Sequence, residues 1–158
     1  MPVRQRGFTL IEVMVVIVLA AVLLAMASVT AFPDDGARLR TEGDRLAQLF
    51  MIAHDEAQVR GIPVVWEADS HQYRFVLRDG PRLIPITSDS TLRAREWSIE
   101  PMQVTRSGGA PIPAGDKSEI RVVFARASAQ DPIAISLTHG ERRVVVRGDG
   151  LGRFEVVQ

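Results

Sequence analysis

Hydrophobic and polar positions divide the chain into three stretches with different periods. Residues 13–32 carry no charged side chain, and Ser28 and Thr30 are their only hydroxyls. In residues 39–57 the apolar positions recur close to every 3.6 residues, which indicates an amphipathic helix. From Ile62 onward apolar and polar positions alternate, as in strands with one buried face. The pattern therefore predicts an apolar helix, an amphipathic helix and a β-rich domain, in that order.

The apolar stretch is long enough to cross a membrane. A helix over residues 8–32 would be roughly 36 Å long, which exceeds the roughly 30 Å of bilayer hydrocarbon. A buried core helix would keep a polar face, and this stretch has none. Arg4 and Arg6 precede it and two aspartates follow it, so we expect a cytoplasmic N-terminus and an external, periplasmic C-terminal domain. A cleavable signal peptide stays open as an alternative, because residues 25–27 fit its small-residue cleavage site.

The amphipathic helix is predicted to follow a kink at Pro33, because proline removes a backbone donor. We expect it to end near Gly61. Gly43 inside it costs about 1 kcal/mol relative to alanine. Its apolar stripe comprises Leu39, Leu46, Leu49, Phe50, Ala53 and Ala57. The remaining surface carries three expected i,i+4 ion pairs, which are Arg38–Glu42, Arg40–Asp44 and Glu56–Arg60.

The C-terminal part is predicted to be built from short antiparallel strands separated by turns at Gly80, Gly140 and Gly148. Residues 107–118, rich in glycine and proline, are expected to form a loop. The candidate strands are 62–68, 73–78, 82–87, 92–100, 102–106, 119–125, 133–139, 142–147 and 151–157. The fold class that follows is α+β, with a long kinked N-terminal helix, transmembrane in its first half, packed on antiparallel β-sheets.

Composition excludes several kinds of site. The chain has no cysteine, so disulfides and thiolate sites are absent, and its 19 basic and 19 acidic residues balance, so no overall charge attracts nucleic acid. His54, His71 and His139 are scattered, as surface or turn residues would be, and do not indicate a metal site. Neither a calcium-binding acidic cluster nor a phosphate loop is present. We therefore expect no cofactor, no metal and no enzymatic activity; an anchored hydrolase remains an alternative that a missing motif does not disprove.

Two C-terminal features admit a functional and a plain interpretation. Residues 147–149 spell Arg-Gly-Asp, which in a strand–turn–strand context is interpreted as a hairpin turn. Four arginines cluster nearby, at positions 142, 143, 147 and 153. Acidic residues are interleaved among them, so a solvated strand face is favoured over a nucleic-acid surface.

Glu12 is the unusual residue of the apolar stretch. An acid inside a spanning helix costs on the order of 2.5–3.5 kcal/mol, less near the interface. Such an acid calls for a partner, although an interfacial carboxylate that reaches water is an alternative.

The segment Gly7-Phe8-Thr9-Leu10-Ile11-Glu12, with its basic leader and apolar continuation, resembles the signal of type IV pilins and type II secretion pseudopilins. The resemblance implies that a prepilin peptidase cuts between Gly7 and Phe8, that Phe8 is N-methylated, and that the helix is retained. It further implies that Glu12 pairs with the Phe8 amine of a neighbouring subunit during assembly. Phe8 and Glu12 are one turn apart, so both project from one helix face.

Residues 53–61 also resemble the helix end of GspH-type minor pseudopilins. The resemblance implies a non-enzymatic pseudopilin near the tip of a periplasmic filament that drives export of folded proteins through the outer membrane. Its implied partners are other pseudopilins, the prepilin peptidase and the inner membrane. The expected division is leader 1–7, assembly helix 8–33, amphipathic helix 34–61 and β-rich domain 62–158. The alternative is a minor type IV pilin of the FimT or FimU kind, acting in pilus assembly, adhesion, motility or DNA uptake.

Overall fold

The computed structural model describes residues 9–30, 34–87, 89–109, 120–126 and 131–157. The chain divides into two compact units, Met1–Asp34 and Asp35–Gln158. The first unit contains helix α1 (Leu10–Thr30), and the second begins with helix α2 (Asp35–Arg60). Pro33, where the kink is predicted, lies outside the described residues.

Nine strands follow α2 within the described part of the second unit. They are β1 (Val64–Ala68), β2 (Gln72–Asp79), β3 (Arg82–Pro85), β4 (Arg95–Glu96), β5 (Gln103–Gly108), β6 (Ile120–Phe124), β7 (Ile133–His139), β8 (Arg142–Gly148) and β9 (Phe154–Val157).

The strands form two antiparallel sheets. Sheet A has the order β3-β2-β1-β6, with β4 also paired to β2, and sheet B has the order β5-β7-β8-β9. One apolar core unites residues of both sheets with the buried stripe of α2. The predicted α+β class, a helix packed on antiparallel sheets, is confirmed.

The buried face of α2 centres on Phe50. All six residues of the predicted apolar stripe are buried. The ring of Phe50 lies 5.1 Å from that of Trp66, 5.2 Å from Phe124 and 5.3 Å from Phe154, measured between centroids. Aromatic pairs at such distances add to the stabilisation that comes from area burial, and here they join the helix to strands of both sheets.

Gly43 lies where α2 comes close to sheet B. A β-carbon at this position would stand 2.7 Å from Cγ1 of Val144 and 3.6 Å from the methyl groups of Val156. The helix penalty of glycine is thus offset by the close approach of helix and sheet that it permits.

The predicted strand over residues 92–100 is mostly wrong, since only Arg95 and Glu96 pair as β4. Apolar side chains of this segment are buried at irregular spacing. Its backbone is held to the β1–β2 turn instead, where Trp97 N donates to His71 O at 3.0 Å and the Trp97 indole donates to Asp69 O at 2.9 Å. Side-chain anchoring has therefore replaced a regular ladder.

The remaining strand predictions are confirmed to within a few residues. The start of the predicted loop at residue 107 is wrong, because Ser107 and Gly108 extend β5 along β7; residues 110–118 lie outside the described residues. Two of the predicted turns close two-residue hairpins, with Gly80 at φ 59° and Gly140 at φ 58°. Glycine adopts this left-handed region without steric cost.

Candidate functional site

The N-terminal motif places its acid in the first turn of α1. Gly7 and Phe8 lie outside the described residues. Thr9 precedes the helix and caps it: the backbone N–H of Glu12 donates to Thr9 O at 3.1 Å and lies 3.4 Å from Thr9 Oγ1. A carboxylate at this end is favoured by the partial positive charge of the helix N-terminus, so Glu12 stands where a negative charge costs least along α1.

The described side chains of α1 are exposed in every direction. Residues 9–23 are all exposed, and large apolar side chains such as Ile11, Ile17 and Leu23 are among them. Contiguous apolar surface of this extent marks an interaction with a protein or a membrane. In the part of the chain that the structure describes, no helix meets the length and apolarity needed to cross a bilayer. The spanning segment stays a prediction.

Glu42 is buried, which corrects its predicted place on the exposed surface of α2. Its side chain is 1% exposed. Oε1 accepts a hydrogen bond from Nη1 of Arg45 at 2.9 Å and another from Ser98 N at 3.3 Å. The carboxylate thereby ties α2 to the irregular segment after β4. Of the other expected helix pairs, Glu56–Arg60 is present.

The phenol of Tyr73 belongs to the same buried polar group. Burial, followed by the negative charge of Glu42, raises the pKa of Tyr73 to about 12, against the lowering effect of Arg45 and Arg95. The hydroxyl therefore stays protonated far above neutral pH. Among the described residues, this cluster links α2 to the segment at Ser98 and to sheet A.

A second buried carboxylate forms ion pairs that connect three strands of sheet A. Glu67 of β1 is 2% exposed and lies between its register partners Arg74 of β2 and Arg121 of β6. Its Oε2 is 2.7 Å from Arg74 Nη2, and its Oε1 is 2.8 Å from Arg121 Nε. A buried charge is tolerated when it is paired in this way.

The histidines do not form a site. His54 is buried on α2 beneath Gly152, so its predicted surface position is wrong. His71 Nδ1 lies 3.1 Å from Glu100 Oε2 in an exposed turn, and this contact raises the pKa of His71. His139 Nδ1 lies 3.0 Å from Pro101 O. Among the described residues, no three potential metal-ligating side chains gather.

The Arg-Gly-Asp tripeptide is a hairpin turn, as interpreted. Arg147 and Gly148 end β8, and Asp149 Oδ1 accepts hydrogen bonds from Leu151 N at 2.7 Å and Arg153 N at 3.1 Å. The bond from Leu151 N contributes most to the lowered pKa of Asp149. The side chain is thereby engaged in holding its own turn.

The arginines around this turn also serve the fold rather than one shared surface. The guanidinium of Arg143 donates to Ser136 Oγ at 2.6 Å, and that of Arg142 lies against Gly36 at the start of α2. Arg147 stands opposite Glu155 in the sheet register. These contacts give the arginines roles within the fold, and the interpretation as a solvated strand face stays a prediction.

Two residues that matter for the folded unit were missed in the sequence. Glu67 could have been found, because an acid inside the apolar run Val64–Ala68 needs a cationic neighbour and Arg74 and Arg121 follow in neighbouring strands. Glu42 offered no such signal, since its helical spacing from Arg38 suggested an exposed pair instead.

Comparison with known proteins supplies the context for the N-terminal motif. The family model of the prokaryotic N-terminal methylation motif matches residues 3–28. Type II secretion system protein H of Pseudomonas aeruginosa is 32% identical over 140 residues, which cover 87% of this chain and 78% of that protein.

The fold has a counterpart among solved structures. The minor pseudopilin EpsH from the type 2 secretion system of Vibrio cholerae superposes with a TM-score of 0.57 at 12% sequence identity, over 76% of this chain and 96% of that one. At this identity the likeness concerns the fold alone.

Proposed function

The chain belongs to the family of type II secretion system protein H and is a minor pseudopilin, and on that premise we propose that it is a structural subunit near the tip of a periplasmic pseudopilus. Filament growth from the inner membrane would push folded proteins through an outer-membrane channel. The observation that carries the proposal is the pairing of α1, exposed and apolar on all described faces, with a separate folded unit that has its own core. Such a helix requires a non-aqueous environment, which the described residues do not supply.

A strain that lacks this chain tests the proposal. We expect export of folded substrates to stop while the substrates accumulate in the periplasm, and re-expression of the full chain to restore export. Twitching motility and DNA uptake should be unaffected, because those depend on type IV pili. Export that continues without the chain would contradict the proposed role.

The N-terminus is proposed to be processed before assembly. A prepilin peptidase would remove residues 1–7 after Gly7, and Phe8 would then be N-methylated. The support is the methylation motif over residues 3–28 together with the capped helix start at Thr9. The chain co-expressed with the peptidase should be lighter than the chain expressed without it. The difference should be the mass of these seven residues, reduced by the one CH₂ that N-methylation adds. An unchanged mass would contradict this step.

We further propose that α1 resides in the inner membrane before assembly, with the N-terminus in the cytoplasm and residues 35–158 in the periplasm. Arg4 and Arg6 on one side and Asp34 and Asp35 on the other support that orientation. Alkaline phosphatase fused after Gln158 should be active, because that enzyme folds only outside the cytoplasm. An inactive fusion would contradict the proposed orientation.

Glu12 is proposed to set the register between subunits. In a bundle of apolar helices an unpaired carboxylate is penalised, whereas one that meets the Phe8 amine of a neighbour is tolerated. The support is the position of Glu12, which is exposed in the first turn of α1. Phe8, four positions earlier in the sequence, lies outside the described residues. No catalytic role is proposed for any residue, since the family consists of filament subunits.

A further inference from the structure

Strand β9 is an edge strand of sheet B. Within the described residues it pairs with β8 alone. The backbone hydrogen bond from Asp149 N to Arg153 O, at 3.1 Å, identifies Asp149 and Arg153 as a hydrogen-bonded pair of the β8–β9 hairpin. Because such positions alternate along an antiparallel pair, Glu155 and Val157 bond to β8, whereas Phe154 and Val156 direct their N–H and C=O groups away from the sheet.

The side chains at this edge are apolar and incompletely covered. Phe154 and Val156 pack against the core but remain partly exposed. The Phe154 ring lies 6.0 Å from that of Phe124, and Val156 faces Gly43 of α2. An added strand at this edge would therefore satisfy backbone groups and cover apolar side chains at the same time.

Strand β3, at one edge of sheet A, differs from β9 because prolines limit its outward backbone donors. The bond from Ile86 N to Phe75 O sets its register, so that Leu83 and Pro85 are the residues facing outward. Pro85 has no N–H, and Pro81 in the preceding turn has none either, which leaves Leu83 as the outward donor of the strand. Proline at edge positions is a common protection against strand addition, and β9 has no such protection.

We propose that the open edge of β9 accepts an extended segment of another pseudopilin subunit as a further strand of sheet B. The open edge follows from the geometry, whereas the source of the strand rests on the proposed function. The segment would carry apolar side chains at alternate positions, on the side facing α2. Between them, opposite Glu155, it would carry a basic or an uncharged residue.

A second copy of this chain would place no cation opposite Glu155 in either register that overlaps most of β9. The register that pairs Val156 with Val156 places Glu155 opposite Val157. The register that brings Arg153 opposite Glu155 overlaps the two strands at Phe154 alone. In the antiparallel register that pairs Phe154 with Val156 of the copy, Glu155 would stand directly opposite its own counterpart. Like charges in that position destabilise a strand pair. Glu155 already faces Arg147 on its β8 side, and a cation on the added strand would give its carboxylate a second opposite charge.

Binding experiments with the full chain in detergent micelles test the proposal. The probes are the other minor pseudopilins of the same secretion system, each added as a full-length, detergent-solubilised protein. One of them is expected to bind and to slow the amide hydrogen exchange of Phe154 and Val156, while the amides of Glu155 and Val157 are already protected by β8.

Two variants of one residue separate the edge from ordinary packing. Val156→Pro removes an outward N–H and leaves the bonds to β8 in place, whereas Val156→Ala loses comparable packing and keeps the N–H. We expect Val156→Pro to weaken binding at least about tenfold and Val156→Ala to weaken it about threefold or less. Glu155→Lys should weaken binding to a partner that places a basic residue opposite.

The other outcomes overturn the inference. Binding that leaves the exchange of Phe154 and Val156 unchanged would place the partner elsewhere, and binding by none of the probes would leave the edge without its proposed occupant. Self-association of the chain that Val156→Pro abolishes would assign the edge to a second copy instead. None of these results bears on the export experiment, which tests the proposed function separately.

Discussion

Helix α1 and helix α2 use apolar side chains in opposite ways. In α2 a stripe of them is buried against two sheets, and most of the remaining surface is polar, with Ile52 and Val59 as exposed exceptions. In α1 every described side chain is exposed, and nearly all are apolar. The second unit therefore buries most of its large apolar side chains in its own core, whereas the apolar side chains of α1 find no such cover among the described residues.

The carboxylates repeat this contrast. Glu42 and Glu67 are buried and have cationic partners within the chain, at 2.9 Å and 2.7 Å for Arg45 and Arg74. Within the described residues, the carboxylate of Glu12 has no such partner in an equally apolar segment. An acid in this position is consistent with a partner on another subunit.

The largest expected effect concerns apolar truncation in the two helices. Phe50→Ala should lower the free energy of unfolding by about 4 kcal/mol, because it removes a fully buried ring that packs on both sheets. Ile17→Ala in α1 should change it by less than about 0.5 kcal/mol, since that side chain is exposed. Denaturant unfolding of the full chain in micelles, followed by tryptophan fluorescence, measures both. Equal losses in the two variants would contradict the different burial of apolar side chains in α1 and α2.

A smaller effect is expected from neutralising a buried acid. Glu67→Gln should destabilise the chain by about 2 kcal/mol, because it leaves Arg74 and Arg121 without their counter-charge; their partial exposure keeps the loss below that of a fully buried pair. The matched control is Glu155→Gln on exposed β9, which should stay within about 0.5 kcal/mol of wild type. The same unfolding assay applies, and similar losses in both variants would show that Glu67 is not a special position.

The last effect is the pH dependence that Tyr73 contributes in alkaline solution. The pKa of Tyr73 is raised from 10.0 to about 12 in the folded chain. Between these values the unfolded chain loses the phenolic proton first, so it binds fewer protons than the folded chain and stability falls as pH rises. Tyr73→Phe should flatten the slope of unfolding free energy between pH 10 and about 12. An unchanged slope would show that Tyr73 does not cause the loss of stability at alkaline pH.

The sequence predicts the regular parts of the molecule well because their periods are local. The helical stripe around Phe50 and the hairpins at Gly80 and Gly140 follow from spacing and turn chemistry. Residues 92–100 are the exception, since their apolar residues are buried at irregular spacing and most of the segment forms no strand. Their backbone partners, Asp69 and His71, are distant in the sequence, and no local pattern shows that pairing.

The functional site shows the same division. Gly7, Phe8 and Glu12 could be proposed because their motif is contiguous, although the first two lie outside the described residues and their roles stay predictions. The burial of Glu42 and His54 arises from contacts with Ser98 and Gly152. The helical spacing of either residue is equally compatible with an exposed face, so these positions required the three-dimensional structure.

The most direct measurement is export of a folded substrate by a deletion strain that carries Glu12→Gln. The control is Glu56→Gln, which removes an acid from a surface ion pair of α2. We predict that Glu12→Gln lowers export at least about tenfold, with normal N-terminal processing and normal amounts of the chain in the inner membrane, while Glu56→Gln exports normally. Full export with Glu12→Gln would contradict the claim that this carboxylate joins the chain to its neighbours.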